Sequence, residues 1–340
     1  MTLNVRTTRL LVAAALVAAL TTIEGTARPN GVAVPSFFAQ SITRIFSGRD
    51  DARPAPTRNQ SSASARLPAA VRLRESDGLG LLAQVWVNGR GPYSFALDTG
   101  AGATILSRRV AAEARVRVEA GGRGIEIGGL SKKRIGGAGR AFVERLAVGT
   151  RENALPSDGF TIVADGLPAE LDGVLDPTEA FYPLGYTIDM RARTLAAFDP
   201  RTSPLRTSDA PAGGAIVRWL TEAGSRRPYV MLSAGRRALV DTGSGFGLAV
   251  NPEAARALGV AVAEGRERAG TRDLAGGEVS SRRVRPATVH VGPLALRGVP
   301  TDFLPDAHAG APVLLGRDAL RPFELTFDPV NRLIRFRPAD

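Results

Sequence analysis

Residues 69–338 contain one β-rich pattern twice, and each copy carries the tripeptide Asp-Thr-Gly after an apolar segment. In the first copy, LLAQVWVNGRGPYSFALDTG predicts a strand, an Asn-Gly turn and a second strand that leads into Asp98. The second copy has the same order in RPYVMLSAGRRALVDTG, which leads into Asp241. A duplication of this kind indicates two similar structural units within one chain.

The two copies remain similar beyond the tripeptides. Alanine-rich segments that predict short helices start at Ala111 and Ala254, and a glycine-rich stretch and a further strand follow in each copy. Each copy closes with an apolar run, a short helix and two strands around an aspartate turn. We therefore predict an all-β fold of two β-barrel lobes related by pseudo-twofold symmetry, with a few short helices, at residues 69–200 and 211–338.

Two further segments precede the repeat. Residues 1–27 combine two arginines, an apolar run and small residues before Ala27, which is the layout of a secretory signal peptide. If it is left uncleaved, residues 10–23 would allow membrane association. Residues 28–68, rich in Pro, Ser and Arg, predict a flexible linker or a pro-like segment with a short amphipathic helix that begins at Ser36. That helix has three alternative roles: it docks on the protein surface, it covers a cleft, or it binds a membrane surface.

Composition narrows the function classes. The chain has no cysteine, which excludes disulfides, thiol nucleophiles and thiolate metal sites. His290 and His308 do not have the spacing of metal ligands, so we expect neither a metal nor another cofactor. The net charge is +11, but the cations are scattered, and all except Lys132 and Lys133 are arginine, so we expect no nucleic-acid partner. The signal layout and the lack of cysteine favour a bacterial periplasmic or secreted protein.

Each tripeptide places a carboxylate at the end of a strand that should be buried. A single Asp-Thr-Gly is an ordinary turn sequence, but two at equivalent points of a duplicated unit point to a shared role. A buried carboxylate is costly unless it is paired, and lobes that face each other would bring Asp98 and Asp241 together to share one proton. The charged carboxyl could then activate a water while the neutral one polarises a carbonyl, which would hydrolyse an amide.

These motifs resemble the pepsin and retropepsin superfamily of aspartic proteases. ALDTGAGATIL is similar to the retropepsin active-site loop, LVDTGSG is similar to the loops of either branch, and VLLGRDAL followed by FELTFD resembles the second signature. The resemblance covers about residues 69–338 and implies a single-chain, two-lobed, monomeric endopeptidase that acts on extended peptides. A non-catalytic relative that binds peptides or envelope proteins in the same cleft is the alternative, and a membrane-tethered structural protein is a third class.

The resemblance also implies roles for individual residues. Asp98 and Asp241 would be the catalytic pair, and the hydroxyls of Thr99 and Thr242 would each bond the opposite backbone. The residues that would support the active-site loops are Thr99, Gly100, Ala101, Thr242, Gly243, Ser244 and Gly316.

Two positions depart from the superfamily pattern or from the internal symmetry. Asp176 stands where the first copy should have glycine, and the run Asp-Pro-Thr-Glu predicts that it caps a helix, although a third carboxylate could also alter the proton affinity of the pair. Ser244 corresponds to Ala101, and a hydroxyl that donates to Asp241 would make Asp241 the more readily ionised member. Glycine-rich residues 119–139 and 264–280 are either covering flaps or mobile loops.

Overall fold

Burial of the alternating apolar residues of both copies produces two β-rich lobes. The computed structural model describes residues 36–38, 41–42, 67–119, 125–156, 159–222, 224–268, 270–307 and 311–339. All of these residues fall in one compact unit. The predicted signal segment and His308 lie outside the described residues. No helix in the described part of the chain has both the length and the apolar character needed to cross a membrane.

The first copy follows the predicted order of elements. Two strands precede it, β1 (Ser36–Phe38) and β2 (Ser41–Ile42). Its helices are α1 (Arg108–Glu113) and α2 (Pro177–Ala180). Its strands are β3 (Val71–Arg72), β4 (Arg74–Ser76), β5 (Gly80–Val87), β6 (Arg90–Leu97), β7 (Thr104–Ser107), β8 (Arg117–Val118), β9 (Ile125–Gly128), β10 (Arg134–Phe142), β11 (Leu146–Val148), β12 (Thr161–Ala164), β13 (Gly173–Leu175), β14 (Gly185–Asp189) and β15 (Thr194–Phe198).

The second copy repeats this arrangement, and the predicted two-lobed, mostly β class is confirmed. Its helices are α3 (Pro252–Ala257) and α4 (Arg317–Leu320). The two alanine-rich helices, α1 and α3, are confirmed. The strands of this copy are β16 (Ala215–Arg218), β17 (Tyr229–Met231), β18 (Arg237–Asp241), β19 (Leu248–Val250), β20 (Arg266–Glu267), β21 (Thr271–Asp273), β22 (Arg282–Val291), β23 (Leu294–Phe303), β24 (Val313–Gly316), β25 (Phe323–Asp328) and β26 (Leu333–Pro338).

The strand that leads into each Asp-Thr-Gly lies inside the main sheet of its lobe. Strand β6 is placed between β5 and β13, and β18 is placed between β17 and β24. The pairs β6–β13 and β18–β24 are parallel, with Leu97 opposite Leu175 and Asp241 opposite Gly316. Because strands on both sides satisfy their backbone groups, β6 and β18 can end deep inside the protein.

A sheet shared by both copies joins the lobes. Its order is β16-β26-β25-β14-β15-β3, so three strands come from each copy. At its centre β14 and β25 are antiparallel, with Tyr186 opposite Phe327. These two rings stack with their centroids 4.7 Å apart. Continuous backbone hydrogen bonding and buried aromatic packing therefore set the lobes in one relative orientation.

The prediction of a helix that begins at Ser36 is wrong in the described part of that segment, because β1 and β2 are extended strands. Strand β1 pairs in parallel with β21 of the second copy, and β2 pairs antiparallel with β9 of the first copy. A short helix is marginally stable by itself, and aromatic and β-branched residues favour strands when a sheet edge is available. Residues 43–66 of the predicted linker lie outside the described residues.

Candidate active site

The two aspartates that follow β6 and end β18 meet at the junction of the lobes. Each carboxyl lies against the Asp-Thr-Gly glycine of the opposite lobe, Asp241 against Gly100 and Asp98 against Gly243. Asp98 is 3% exposed and Asp241 is 0% exposed, so the pair is shielded from solvent. Among the described residues, no donor reaches Asp241 Oδ2. The arrangement leaves one carboxyl oxygen free to carry a shared proton or to bind a small polar group.

Thr99 and Thr242 tie the two loops together through four hydrogen bonds. The Thr99 hydroxyl donates to the carbonyl of Val240 at 2.6 Å, and the Thr242 hydroxyl donates to that of Leu97 at 3.2 Å. Each hydroxyl also accepts the backbone N–H of the other threonine, at 3.1 Å in both directions. All of these groups are buried, so the reciprocal network holds the two aspartates in register across the lobe junction.

The glycine of each tripeptide packs against the carboxyl of the opposite lobe. A Cβ on Gly100 would lie 2.9 Å from Asp241 Cγ, and a Cβ on Gly243 would overlap the carboxyl of Asp98. Neither glycine has a positive φ, so close approach, and not backbone conformation, requires glycine here. Gly316 lies behind the second loop, where a Cβ would come within 2.9 Å of the Ser244 carbonyl oxygen.

Burial and the close approach of the two carboxyls oppose a second negative charge on the pair. Burial raises the pKa of both carboxyls, and the pKa of Asp241 is raised further because a charge on Asp98 opposes a second charge beside it. Backbone N–H groups of Gly100 and Ser244 donate to Asp98 Oδ1 at 2.7 Å and to Asp241 Oδ1 at 3.0 Å.

The expectation that Asp241 ionises first rests on a hydrogen bond from the Ser244 hydroxyl, and no such bond to Asp241 is found among the described residues. The Ser244 hydroxyl instead accepts the N–H of Phe246 at 3.3 Å. Ala101, its counterpart in the first copy, is fully buried in the apolar cluster of the first lobe.

Two buried arginines near the pair were not recognised in the sequence. Arg317 Nη1 donates to the carbonyls of Thr242 at 3.0 Å and Gly243 at 2.7 Å. Arg227 packs against Gly102, just beyond the first loop. The positive charges of Arg317 and Arg227 both lower the pKa of Asp98, against the larger effect of burial. The sequence could have indicated Arg317, because this residue directly follows Gly316, the glycine predicted to support the second loop.

Asp176 caps α2, as predicted. Its Oδ1 accepts the backbone N–H of Thr178 at 2.8 Å and the hydroxyl of the same residue at 2.6 Å. Glu179 does not complete a capping box, because it instead accepts Arg226 at 2.6 Å and the N–H of Phe160 at 3.1 Å. Burial raises the pKa of Asp176, and the charges of Glu179 and Asp98 raise it further, so its surroundings favour the protonated form of this carboxyl.

The two glycine-rich stretches contain hairpins, which we call the first hairpin (residues 125–142) and the second hairpin (residues 271–278). The tip of each one packs into the opposite lobe. Leu130 of the first hairpin belongs to an apolar cluster with Phe246 of the second lobe. Leu274 of the second hairpin packs in a cluster with Ala101 and Ile127 of the first lobe. The described parts of these stretches are therefore hairpins whose tips cross.

A buried aspartate bonds the hairpin tips to each other. Asp273 is fully buried, and its Oδ2 accepts the backbone N–H of Ser131 at 2.9 Å. Its Oδ1 accepts the N–H of Gly277, also at 2.9 Å, within its own hairpin. The crossed tips and the Asp273 carboxylate therefore hold the two hairpins together. Ala101 and Phe246, which adjoin the first and the second active-site loop, pack against the hairpin tips.

Comparison with known proteins gives one family. A family model described as "Aspartyl protease" matches residues 83–171 and 234–319, one segment in each copy and together more than half of the chain. No curated protein sequence matches. Among solved structures, the chain is similar to the aspartic proteinase from Irpex lacteus, with 13% identity and a TM-score of 0.49, over 80% of this chain and 97% of that one.

Proposed function

Because this chain belongs to the aspartyl protease family, we propose that it is an endopeptidase that cleaves extended peptides at the junction of its two lobes. The family supports a protease-like function in general terms. One observation carries the finer proposal: two buried carboxyls from duplicated, hydrogen-bonded loops each lie against the glycine of the opposite loop. We further propose export to the periplasm or the exterior, on the basis of the sequence of residues 1–27.

We propose roles for the two carboxyls in which Asp98 is the charged member and Asp241 the protonated one. A water held between them gives a proton to ionised Asp98 as its oxygen attacks the peptide carbonyl carbon, and Asp241 gives its proton to the carbonyl oxygen. The resulting diol collapses when Asp98 passes the proton to the leaving nitrogen and Asp241 takes one from a diol hydroxyl. The carbon–nitrogen bond then breaks, and both carboxyls return to their starting states.

Substrate entry requires movement of the hairpins. Their tips are crossed, with Leu130 and Leu274 buried in opposite lobes and the aspartate pair covered. We propose that the hairpins part to admit a peptide and then close over it, which would exclude bulk water during hydrolysis. Strands of the hairpins would then pair with the backbone of the peptide as with an added strand.

Cleavage of a denatured protein mixture from pH 3 to 8 tests the proposal. We expect Asp98→Asn and Asp241→Asn each to abolish cleavage, while Asp77→Asn, a change at an exposed aspartate, leaves the rate unchanged. Tight binding of peptides without cleavage at any pH would instead support the non-catalytic peptide-binding alternative. If the unaltered protein neither cleaves nor binds peptides, and both site variants lose stability, the loops serve only the lobe junction.

A further inference from the structure

A cavity between the two copies of the fold lies apart from the aspartate pair. Its volume is about 630 Å³, within the roughly 300–1,000 Å³ that small-molecule sites occupy. Arg140 and Tyr182 of the first copy contribute to its wall, together with Trp219, Arg226 and Arg332 of the second. Among the described residues that line it, none belongs to either Asp-Thr-Gly sequence. The cavity is therefore a separate place in which one ligand would contact both lobes.

Arg226 is held in a fixed position in this wall. Its Nη1 donates to Glu179 Oε2 at 2.6 Å, and its guanidinium carbon lies 3.9 Å from the centre of the Tyr182 ring. The Glu179 side chain is 4% exposed and also accepts the N–H of Phe160 at 3.1 Å, which keeps this carboxylate in place. Glu179 is the hydrogen-bond partner of the Arg226 side chain among the described residues, and that side chain is 39% exposed, so its remaining N–H donors are available to a ligand.

The cavity wall carries more positive than negative charge. Glu222, the second acidic residue of the wall, accepts Arg227 Nη2 at 2.8 Å, so both acids are already paired with an arginine. Arg140 and Arg332, by contrast, form no ion pair with any described residue. Two guanidinium charges of the wall are therefore unbalanced, and a concave surface concentrates their field on an anion inside it.

Aromatic rings supply the apolar part of the wall. Trp219 is 3% exposed, and its indole N–H donates to the carbonyl of Arg227 at 3.2 Å, so the one polar atom of this side chain is satisfied. The ring of Tyr182 lies against the guanidinium of Arg226. The wall therefore combines a fixed cation with rings against which an apolar group packs.

We propose that this cavity is a second ligand site, which binds an organic carboxylate: a carboxyl group attached to an aromatic or aliphatic body. The planar fork of Arg226 matches the geometry of a carboxylate, the two unpaired arginines supply further positive charge, and the two rings pack against the body. This site goes beyond the proposed endopeptidase activity, because it uses neither catalytic carboxyl.

The site adjoins segments that support the first active-site loop. Arg227, which follows Arg226 in the chain, packs against Gly102. Phe160, which lines the cavity, accepts the N–H of Thr104 through its carbonyl at 2.9 Å. A ligand that holds the cavity wall in place would therefore restrict movement beside the first loop, which is the action of an effector and not of a substrate.

Binding of N-acetyl-phenylalanine tests the inference directly. Trp219 lines the cavity, so its fluorescence reports occupation in a Trp86→Phe variant, which lacks the other tryptophan. We expect a saturable change with a Kd on the order of 1 mM, and at least about tenfold weaker binding of the uncharged amide of the same compound. Calorimetry on the unaltered protein measures both Kd values without relying on fluorescence. No saturation by either method about twentyfold above this Kd, or equal binding of acid and amide, would overturn the inference.

Arginine-to-glutamine changes locate the site. Arg140→Gln with Arg332→Gln removes both unbalanced charges, so we expect at least about fivefold weaker binding of the acid and no change for the amide. The matched control is Arg193→Gln with Arg297→Gln. Arg193 occupies the place of Arg332 in the equivalent turn of the first copy, and the carbonyl of each accepts a backbone N–H at 2.8 Å. Arg297, like Arg140, is an exposed strand residue. An unchanged Kd in the first variant, or an equal loss in the control, would contradict the assignment.

A carboxylate of this kind can reach the site as a free acid or as the last residue of a peptide. N-acetyl-phenylalanine and N-acetyl-alanyl-alanyl-phenylalanine are therefore compared on the Asp98→Asn variant, so that no peptide is cut. Tighter binding of the tripeptide identifies a peptide end and equal binding identifies a small acid, and both results support the site. Cleavage enters none of these measurements. Loss of cleavage in every form would end the proposed endopeptidase and leave this site standing, whereas normal cleavage without binding would do the reverse.

Discussion

Replacing Thr99 with valine removes one hydroxyl from the link between the lobes while nearly preserving the shape of the side chain. That hydroxyl donates to the carbonyl of Val240 at 2.6 Å and accepts the N–H of Thr242 at 3.1 Å. Both backbone groups are buried, so each would lose its partner where water cannot replace it. A buried polar group left unsatisfied costs about 1–3 kcal/mol, so we expect the free energy of unfolding to fall by about 2–6 kcal/mol.

Urea denaturation followed by tryptophan fluorescence measures this loss. The chain has two tryptophans, Trp86 in the first copy and Trp219 in the second, so the signal reports on both lobes. A loss of this size is a large part of the about 5–15 kcal/mol that stabilises a typical domain. We also expect a less cooperative transition in Thr99→Val, because the change weakens the junction more than either lobe's interior.

Thr187→Val is the matched control, since it removes a hydroxyl from the sheet that joins the lobes. Among the described residues, the Thr187 hydroxyl has one hydrogen-bond partner, the Thr326 hydroxyl at 3.1 Å, and Thr326 keeps a second hydrogen bond from Arg335 at 2.9 Å. No backbone group is left without a partner, so we expect a loss below about 1 kcal/mol. A loss in Thr99→Val no larger than in this control would refute the stabilising role assigned to the threonine network.

Three further predictions concern the site and its cover. Gly243→Ala should abolish peptide cleavage, because its methyl group would overlap the Asp98 carboxyl, whereas the exposed control Asp77→Asn should cleave normally. Burial raises the pKa of Asp176 in the folded state, so its contribution to stability is present below the unfolded value of about 3.9 and is lost as the pH rises through the folded value. Asp176→Asn should therefore gain stability relative to the unaltered protein between pH 4 and pH 8, and parallel stability curves would contradict this. Leu130→Ala should speed hydrogen exchange at Ser131 at least tenfold, since burying a leucine contributes about 1.5–3 kcal/mol, and an unchanged rate would show that the crossed tip does not hold the hairpins closed.

Much of the local structure was readable from the pattern of residues. The hairpin around Asn88, the helices α1 and α3 and the cap of α2 by Asp176 depend on contacts within a few residues. The helix predicted at Ser36 failed for the opposite reason. The partners of that segment, β21 and β9, lie far away in the sequence, so its local preference did not reveal the sheet edges that it joins.

The internal repeat by itself determined that this protein has two similar lobes, and that Asp98 and Asp241 occupy equivalent places, because equivalent sequences adopt equivalent local folds. Only the tertiary structure decided that the two carboxyls lie against the glycines of the opposite loops, that Arg317 is buried beside the second loop, and that the Ser244 hydroxyl accepts the N–H of Phe246. It also decided that the hairpin tips cross into opposite lobes. Electrostatic and packing energies depend on distances between groups that the chain brings together only when it folds.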